Sequence, residues 1–360
     1  MGYAAARGGL RAIRAAEALV RRLRLRSRAA APADDQLIDH FGPLVDRVMG
    51  EGGVWDPVMA AAALRQGGGD PIEAAHLIRA RRSTLAVLAV AVADADEVTV
   101  LRRVVPAYRN PPGPQLLGAT SDYTGRVLEH GRPRLAADEM YETANDTDSN
   151  GADGWREDRS PARLLDLLRG EDLVVDRRRT DDPDPVDITR VAARPPAPRS
   201  ARLSAMARAE TGGLVNQWYR NILGPDGYLH EITLGEVRHG RLPVRLTHPY
   251  SGEPVCVTRV RVTEVEAIED LDGVDEDRSR LDVGYGLCFG HNEKKAIAMA
   301  NLDIACHRDG GRTQLEQSLL LTTDGLEATG FLEHLKLPHY VTFRSILERK
   351  VAVREARSET

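Results

Sequence analysis

Apolar and polar positions change rhythm along this chain. From 3 to 105 the apolar positions recur at helical spacing in an alanine-rich background, which predicts a layer of packed helices. Two helix starts are explicit. Asp56-Pro57 and Asp70-Pro71 each place a side-chain acceptor before a proline, with Glu73 in the first turn of the second. Gly67-Gly68-Gly69 closes the first of these helices, and the Ala60–Ala63 face lets a neighbour approach closely. Residues 198–225 return to a helical pattern. Alternation then takes over in Tyr228–Leu234, Leu242–Thr247 and Val255–Ile268, with turns expected at Gly224–Gly227, His239-Gly240 and Pro249–Gly252. An antiparallel meander is the simplest arrangement of those strands.

Two stretches interrupt the pattern. Tyr108–Tyr123 carries three prolines and two glycines, so it reads as an ordered loop presenting Gln115, Asp122 and Tyr123. From about 130 to 200 acidic residues, prolines and arginine clusters dominate, with one short amphipathic helix around Leu164–Leu168. The expected class is therefore α+β: a helical region over 1–130, an acidic, proline-rich linker over 131–197, and an α+β region over 198–360.

A net charge of -5 argues against a dedicated nucleic-acid binder. No apolar run approaches the roughly 20 residues needed to span a bilayer. Arginine supplies all but four of the 49 basic residues, so the basic start of the chain reads as compositional bias rather than a leader. That bias makes Lys294, Lys295 and Lys336 informative, because arginine does not replace a compact or titratable amine. Cys256, Cys288 and Cys306 lack ligand or redox spacing and read as buried, reduced thiols of a cytoplasmic protein.

Four stretches carry candidate chemistry. Met49-Gly-Glu-Gly-Gly53 sets Glu51 among glycines, either as a helix–helix turn or as a place where a ligand reaches the backbone. Asp146–Glu157 fits the spacing of a calcium loop, yet Asp153 stands where an aliphatic residue belongs and Pro161 interrupts the exit helix, so we read a chance match. Asp282–Lys295 passes from strand to helix through Gly284, Gly286 and Gly290, with His291, Glu293, Lys294 and Lys295 at the helix start and Asn292 placed to cap it. Free N–H groups beside lysines favour phosphate, while a tight strand-to-helix turn needs the same glycines. Lastly, His334 and His339 flank Lys336 and Pro338. A helix would leave the two imidazoles about 140° apart, so a bend at Pro338 is needed to bring them together as half of a zinc site. Two half-buried histidines bonded to carbonyls is the plainer alternative.

Together these residues resemble one family, the PhnI subunit of the bacterial carbon–phosphorus lyase core complex. Matching blocks include Gly2-Tyr3, Gly8-Gly9, Arg47–Gly53, Gln115–Gly118, Asp122-Tyr-Thr124, Arg199–Leu203, Gly284-Tyr-Gly286, Phe289-Gly290, Glu293, Gly330-Phe331 and His334–Tyr340. Arg7-Gly-Gly-Leu10 departs from the family's usual Lys-Gly-Gly-Glu. The resemblance implies phosphonate breakdown with partner subunits G, H, J and L. An alkylphosphonate oxygen displaces adenine from C1′ of ATP, giving α-D-ribose 1-alkylphosphonate 5-triphosphate. Family members alone act as purine nucleosidases. It further implies that His334 and His339 bind zinc at the boundary with subunit J.

Substitution at C1′ passes through an oxocarbenium-like state. It calls for an acid at the departing purine, for which His291 and Glu293 are the candidates, and a carboxylate beside the sugar, Glu51 or Asp122. It also calls for positive charge, with Mg²⁺, on the triphosphate, from Lys294, Lys295 and the 284–290 glycines. A self-sufficient nucleoside-triphosphate hydrolase and a non-catalytic scaffold lending zinc ligands are the competing classes.

Overall fold

The computed structural model describes residues 8–26, 30–128, 161–175, 177, 185–223, 233–270, 278–308, 313–321, 323–337 and 339–358. Among them are twelve helices and one four-stranded sheet, an α+β architecture. The calcium-like loop at 146–157, the turn at 224–227, the strand start at 228–232 and the expected bend at Pro338 lie outside the described residues.

Five helices open the chain: α1 (Gly9–Leu25), α2 (Asp34–His40), α3 (Gly42–Gly52), α4 (Pro57–Gln66) and α5 (Pro71–Ser83). The Asp56 side chain accepts from the Met59 N–H at 2.9 Å, and Asp70 accepts from Ile72 at 2.8 Å, so both expected caps form. Val45, Val48 and Met49 pack against Ala60, Ala61, Leu64, Ala74 and Ile78. A Cβ on Gly52 would stand 2.7 Å from Ile78 Cγ2, which explains a glycine where α3 crosses α5.

The helical reading fails after Ser83. Thr99–Val104 is a strand, β1, joined edge-on to a sheet otherwise made by β2 (Thr233–Thr247), β3 (Pro254–Asp270) and β4 (Leu281–Phe289). The order is β1-β2-β3-β4, antiparallel throughout. The expected turn at His239-Gly240 is a second correction: both residues lie inside β2. Gly240 is there for close approach, since a Cβ would stand 2.3 Å from the Thr99 carbonyl oxygen, beside a register shift between Val100 and Arg102. The turn before β3 forms as expected, with Gly252 at φ +73°.

Helices α7 (Arg199–Arg208), α8 (Thr211–Leu223), α9 (Glu293–Arg308) and α10 (Thr313–Leu321) build the main core on one face of the sheet. The other face carries buried ion pairs. Arg103 binds Glu236, and Arg163 and Arg238 both bind Glu264. The part of the expected linker at 161–175 belongs to this layer. Its helix α6 (Leu164–Gly170) buries Leu164, Leu165 and Leu168 against Val105, Ile268 and Val283. Helices α11 (Gly325–His334) and α12 (Tyr340–Ser358) follow, and α12 buries no residue at all. Cys288 and Cys306 are buried as expected, but Cys256 is exposed. No described helix is long and apolar enough to cross a membrane.

Candidate active site

The end of β4 and the start of α9 bring distant parts of the chain to one place. Gly290 turns the backbone at φ +76°, and a Cβ there would sit 2.3 Å from the Cβ of Asp46. Asp46, on α3, accepts from the His291 N–H at 2.9 Å and from Arg261 at 2.7 Å. Asn292 caps α9, its Oδ1 accepting from the Lys295 N–H at 3.3 Å, while its Nδ2 donates to Thr211 at 3.0 Å. Glu293 in the first turn takes Arg102 Nε from β1 at 2.5 Å. The same guanidinium reaches Asp122 at 2.9 Å and the Leu117 carbonyl at 2.7 Å. His291, Glu293 and Asp122 are thus assembled around Arg102.

His239 completes the cluster. Its ring stacks on that of His291, with centroids 4.3 Å apart and planes 17° from parallel. The Thr263 hydroxyl donates to the Gly290 carbonyl at 2.7 Å, so its oxygen accepts from His239 Nδ1 at 3.2 Å and from the Asn292 N–H at 3.1 Å. With the hydroxyl so engaged, Nδ1 of His239 acts as a donor, and the Val262 backbone also takes a hydrogen bond from the ring. Burial, then the neighbouring His291 and Arg261, push the His239 pKa down to about 4, so it is neutral at pH 7.

The carboxylates are held ionised. His291, with Nε2 at 3.6 Å, and then Arg102 bring Glu293 down to about 2. The Thr120 hydroxyl and Arg126 hold Asp122 below the usual carboxylate range. For Arg102, burial opposes the charge, but Glu293 and Asp122 outweigh it and raise its pKa. Of the two acid candidates, Glu293 therefore keeps no proton near neutral pH.

Other candidates lie elsewhere. Glu51 is fully buried on α3, bonded to Arg47 at 2.8 Å and to the Thr211 N–H at 3.0 Å. Lys295 is buried too. Its Nζ donates to the Ala209 carbonyl at 2.8 Å, and burial lowers its pKa. Gly284 and Gly286 face α9, where a Cβ would meet the carbonyl oxygens of Ala300 and Ala296 at 1.9 and 2.2 Å. Gln115 closes a two-way bond with the Val105 backbone at 2.9 and 3.2 Å. Lys294 is exposed beside the cluster, and Lys336 pairs with Glu333 at 2.6 Å. Sequence reasoning missed Arg102 and His239. The first is camouflaged by an arginine-rich chain, and the second precedes a glycine that imitates a turn.

His334 and His339 do meet. Their ring centroids are 5.1 Å apart at 80°, and His339 Nε2 donates to the His334 carbonyl at 3.1 Å. Two imidazoles on one tetrahedral zinc, with Zn–N about 2.0–2.1 Å, place their centroids about 5 Å apart. The separation is of that order, but the Nε2 of His339 is taken by a backbone carbonyl, as in the plainer alternative, so Nδ1 is the atom His339 would offer to a metal. Among the described residues no group of three His, Cys, Asp or Glu could hold a metal, so further donors would have to come from outside them.

Residues 2–359 match the family described as PhnI, bacterial phosphonate metabolism protein. The chain is 40% identical over 361 residues to HtxH of Stutzerimonas stutzeri, provisionally named a C-P lyase subunit protein, covering 97% of this chain and 95% of that one. It is 36% identical over 355 residues to the alpha-D-ribose 1-methylphosphonate 5-triphosphate synthase subunit PhnI of Rhizobium meliloti (strain 1021), covering 96% and 93%. It is likewise 36% identical over 355 residues to the Escherichia coli (strain K12) protein of the same name, covering 96% of each.

Proposed function

The chain belongs to the PhnI family of bacterial phosphonate metabolism proteins, and from that premise we propose that it is a catalytic subunit of a carbon–phosphorus lyase complex. With partner subunits G, H and L it transfers an alkylphosphonate to C1′ of ATP, releasing adenine and forming α-D-ribose 1-alkylphosphonate 5-triphosphate. The observation that carries this reading is the convergence of His291, Glu293 and Asp122 on Arg102 at the start of α9.

In this reading His291 gives a proton to the departing purine. Glu293 and Asp122, both ionised, stabilise the positive charge that develops on the sugar. Arg102 fixes the two carboxylates at one spacing. Lys294, exposed in the first turn of α9, contributes positive charge to the Mg²⁺-bound triphosphate. His334 and His339 supply two ligands to a zinc ion shared with subunit J, a cytoplasmic assembly contact separate from the purine step.

The test is adenine release from ATP by the chain with G, H and L, with and without methylphosphonate, followed by phosphorus NMR. A ribose-linked phosphonate that forms only with methylphosphonate supports the transferase. Release indifferent to methylphosphonate leaves a purine nucleosidase. The second reading, a scaffold, is favoured by the wholly exposed α12, and it predicts an intact complex whose adenine release survives His291→Ala.

A further inference from the structure

The glycines at the end of α3 open onto a cavity of about 310 Å³. Gly50 and Gly53 form one side, Val186–Thr189 another, Ser204, Ala207 and Arg208 of α7 a third, and Leu287 and Phe289 of β4 the base. Arg82 and Arg208 both line it. They cross over Gly53, where a Cβ would lie 3.7 Å from Arg82 Nη1 and 3.8 Å from Arg208 Cδ. Gly53 is at φ +67°, so the lack of a side chain serves both the backbone and the opening.

Three guanidiniums, those of Arg79, Arg82 and Arg208, gather at this cavity. Arg208 Nε is buried with no hydrogen-bond partner among the described residues. Burial and then Arg79 lower the Arg208 pKa, with Arg82 adding to them, and Asp324 and Glu327 offset this only in part. Asp324 is already taken by Arg79 Nη1 at 2.6 Å, and the other ends of Arg79 bond the Glu51 and Arg208 carbonyls, both at 2.9 Å. The one carboxylate lining the cavity, Asp187, is engaged by its own turn, through the Thr189 N–H at 2.9 Å and hydroxyl at 2.6 Å. Asp187 also acts on Arg82, with Arg190 at 3.7 Å on its other side, so the guanidinium left short of a partner is that of Arg208.

We propose that this cavity is a phosphate-binding site, in which Arg82 and Arg208 take the oxygens of a phosphate ester or polyphosphate. A guanidinium presents paired N–H donors at the spacing of phosphate oxygens, and a bound dianion relieves the mutual repulsion of the arginines. The volume suits a phosphate with an attached sugar rather than a whole nucleotide. The site rests on its own geometry and stands whether or not the synthase reading does.

Isothermal titration of the full-length chain with pyrophosphate and with ribose 5-phosphate tests it. Saturable binding by the wild-type chain is expected, weakened at least tenfold in Arg82→Gln and in Arg208→Gln and unchanged in Arg14→Gln, an exposed position on α1. Arg82→Gln removes no side-chain hydrogen bond among the described residues and should keep the wild-type melting temperature, which covers the case in which Arg208→Gln folds poorly. Wild-type affinity in Arg82→Gln, an equal loss of binding in Arg14→Gln, or no binding by the wild type would overturn the proposal. Failure of adenine release in the full complex, with pyrophosphate binding intact, would count against the synthase and leave this site standing.

Discussion

His239 and His291 stack 4.3 Å apart although one comes from the middle of β2 and the other from the turn after β4. Two imidazoles in face contact do not both carry charge without strong repulsion, and the buried ring is the one that stays neutral. That neutrality has a signature in stability. The folded pKa of His239, about 4, lies below its ordinary 6.5, so the unfolded chain takes up the proton first. Its contribution is complete above pH 6.5 and is lost as pH falls towards 4. The melting temperature should drop across that window, and His239→Asn should flatten the drop. An equal drop in the variant would remove His239 as its source.

Glu293 titrates lower, from an ordinary 4.5 to about 2, so its contribution is present above pH 4.5 and lost below it. Replacing it with glutamine leaves Arg102 short of a charged partner, and a loss of about 1–3 kcal/mol is expected from denaturant unfolding at pH 7. His291→Ala should instead leave stability within about 1 kcal/mol while cutting adenine release by roughly 10²–10⁴, the usual range for a missing general acid. Equal losses of release and of stability in His291→Ala would mark it as a structural residue.

Gly286 is a packing residue, and Gly286→Ala should show it. The added methyl meets the Ala296 carbonyl, part of a helix backbone that cannot rotate aside. A loss of about 3 kcal/mol or more is expected from urea unfolding. A stable Gly286→Ala chain that had lost only triphosphate affinity would return the glycine to phosphate binding.

Lys295 separates the same alternatives by another route. Its amine is enclosed and satisfied by a carbonyl, so Lys295→Met keeps the volume and removes a charge that burial disfavours. Lys295→Arg forces a larger, permanently charged group into that space. Thermal unfolding should place the arginine variant below the methionine variant. The reverse order would mean that the amine has access to solvent or ligand.

How much of this was legible depended on whether a signal was local. The Asp-Pro starts of α4 and α5 and the Asn292 cap of α9 are local chemistry, and the structure follows them. Gly240, by contrast, is dictated by Thr99, a residue 141 positions earlier that passes within contact of it, and no pattern around His239 reveals that. Arg102 is hidden for the same reason: its partners Asp122 and Glu293 lie 20 and 191 residues away. The glycines of β4 were visible as a cluster. Whether they served a ligand or a helix became decidable only once α9 lay against them.

The surface of α12 yields the last expectation. Tyr340, Phe343, Leu347 and Val351 recur at spacings of three and four and are 64, 65, 50 and 46% exposed. In sequence they follow directly on His334 and His339, the residues proposed above as zinc ligands. Covering such side chains is worth about 1.5–3 kcal/mol each, which a single folded chain leaves unused. Leu347→Glu with Val351→Glu changes two half-exposed side chains on a helix that buries no residue, and should leave the melting temperature of the isolated chain unchanged. On the proposed assembly, co-expression of the same variant with the G, H and J subunits should lose co-purification of J, and any zinc held with it. Normal assembly and metal content in that variant would move the partner surface elsewhere on the chain.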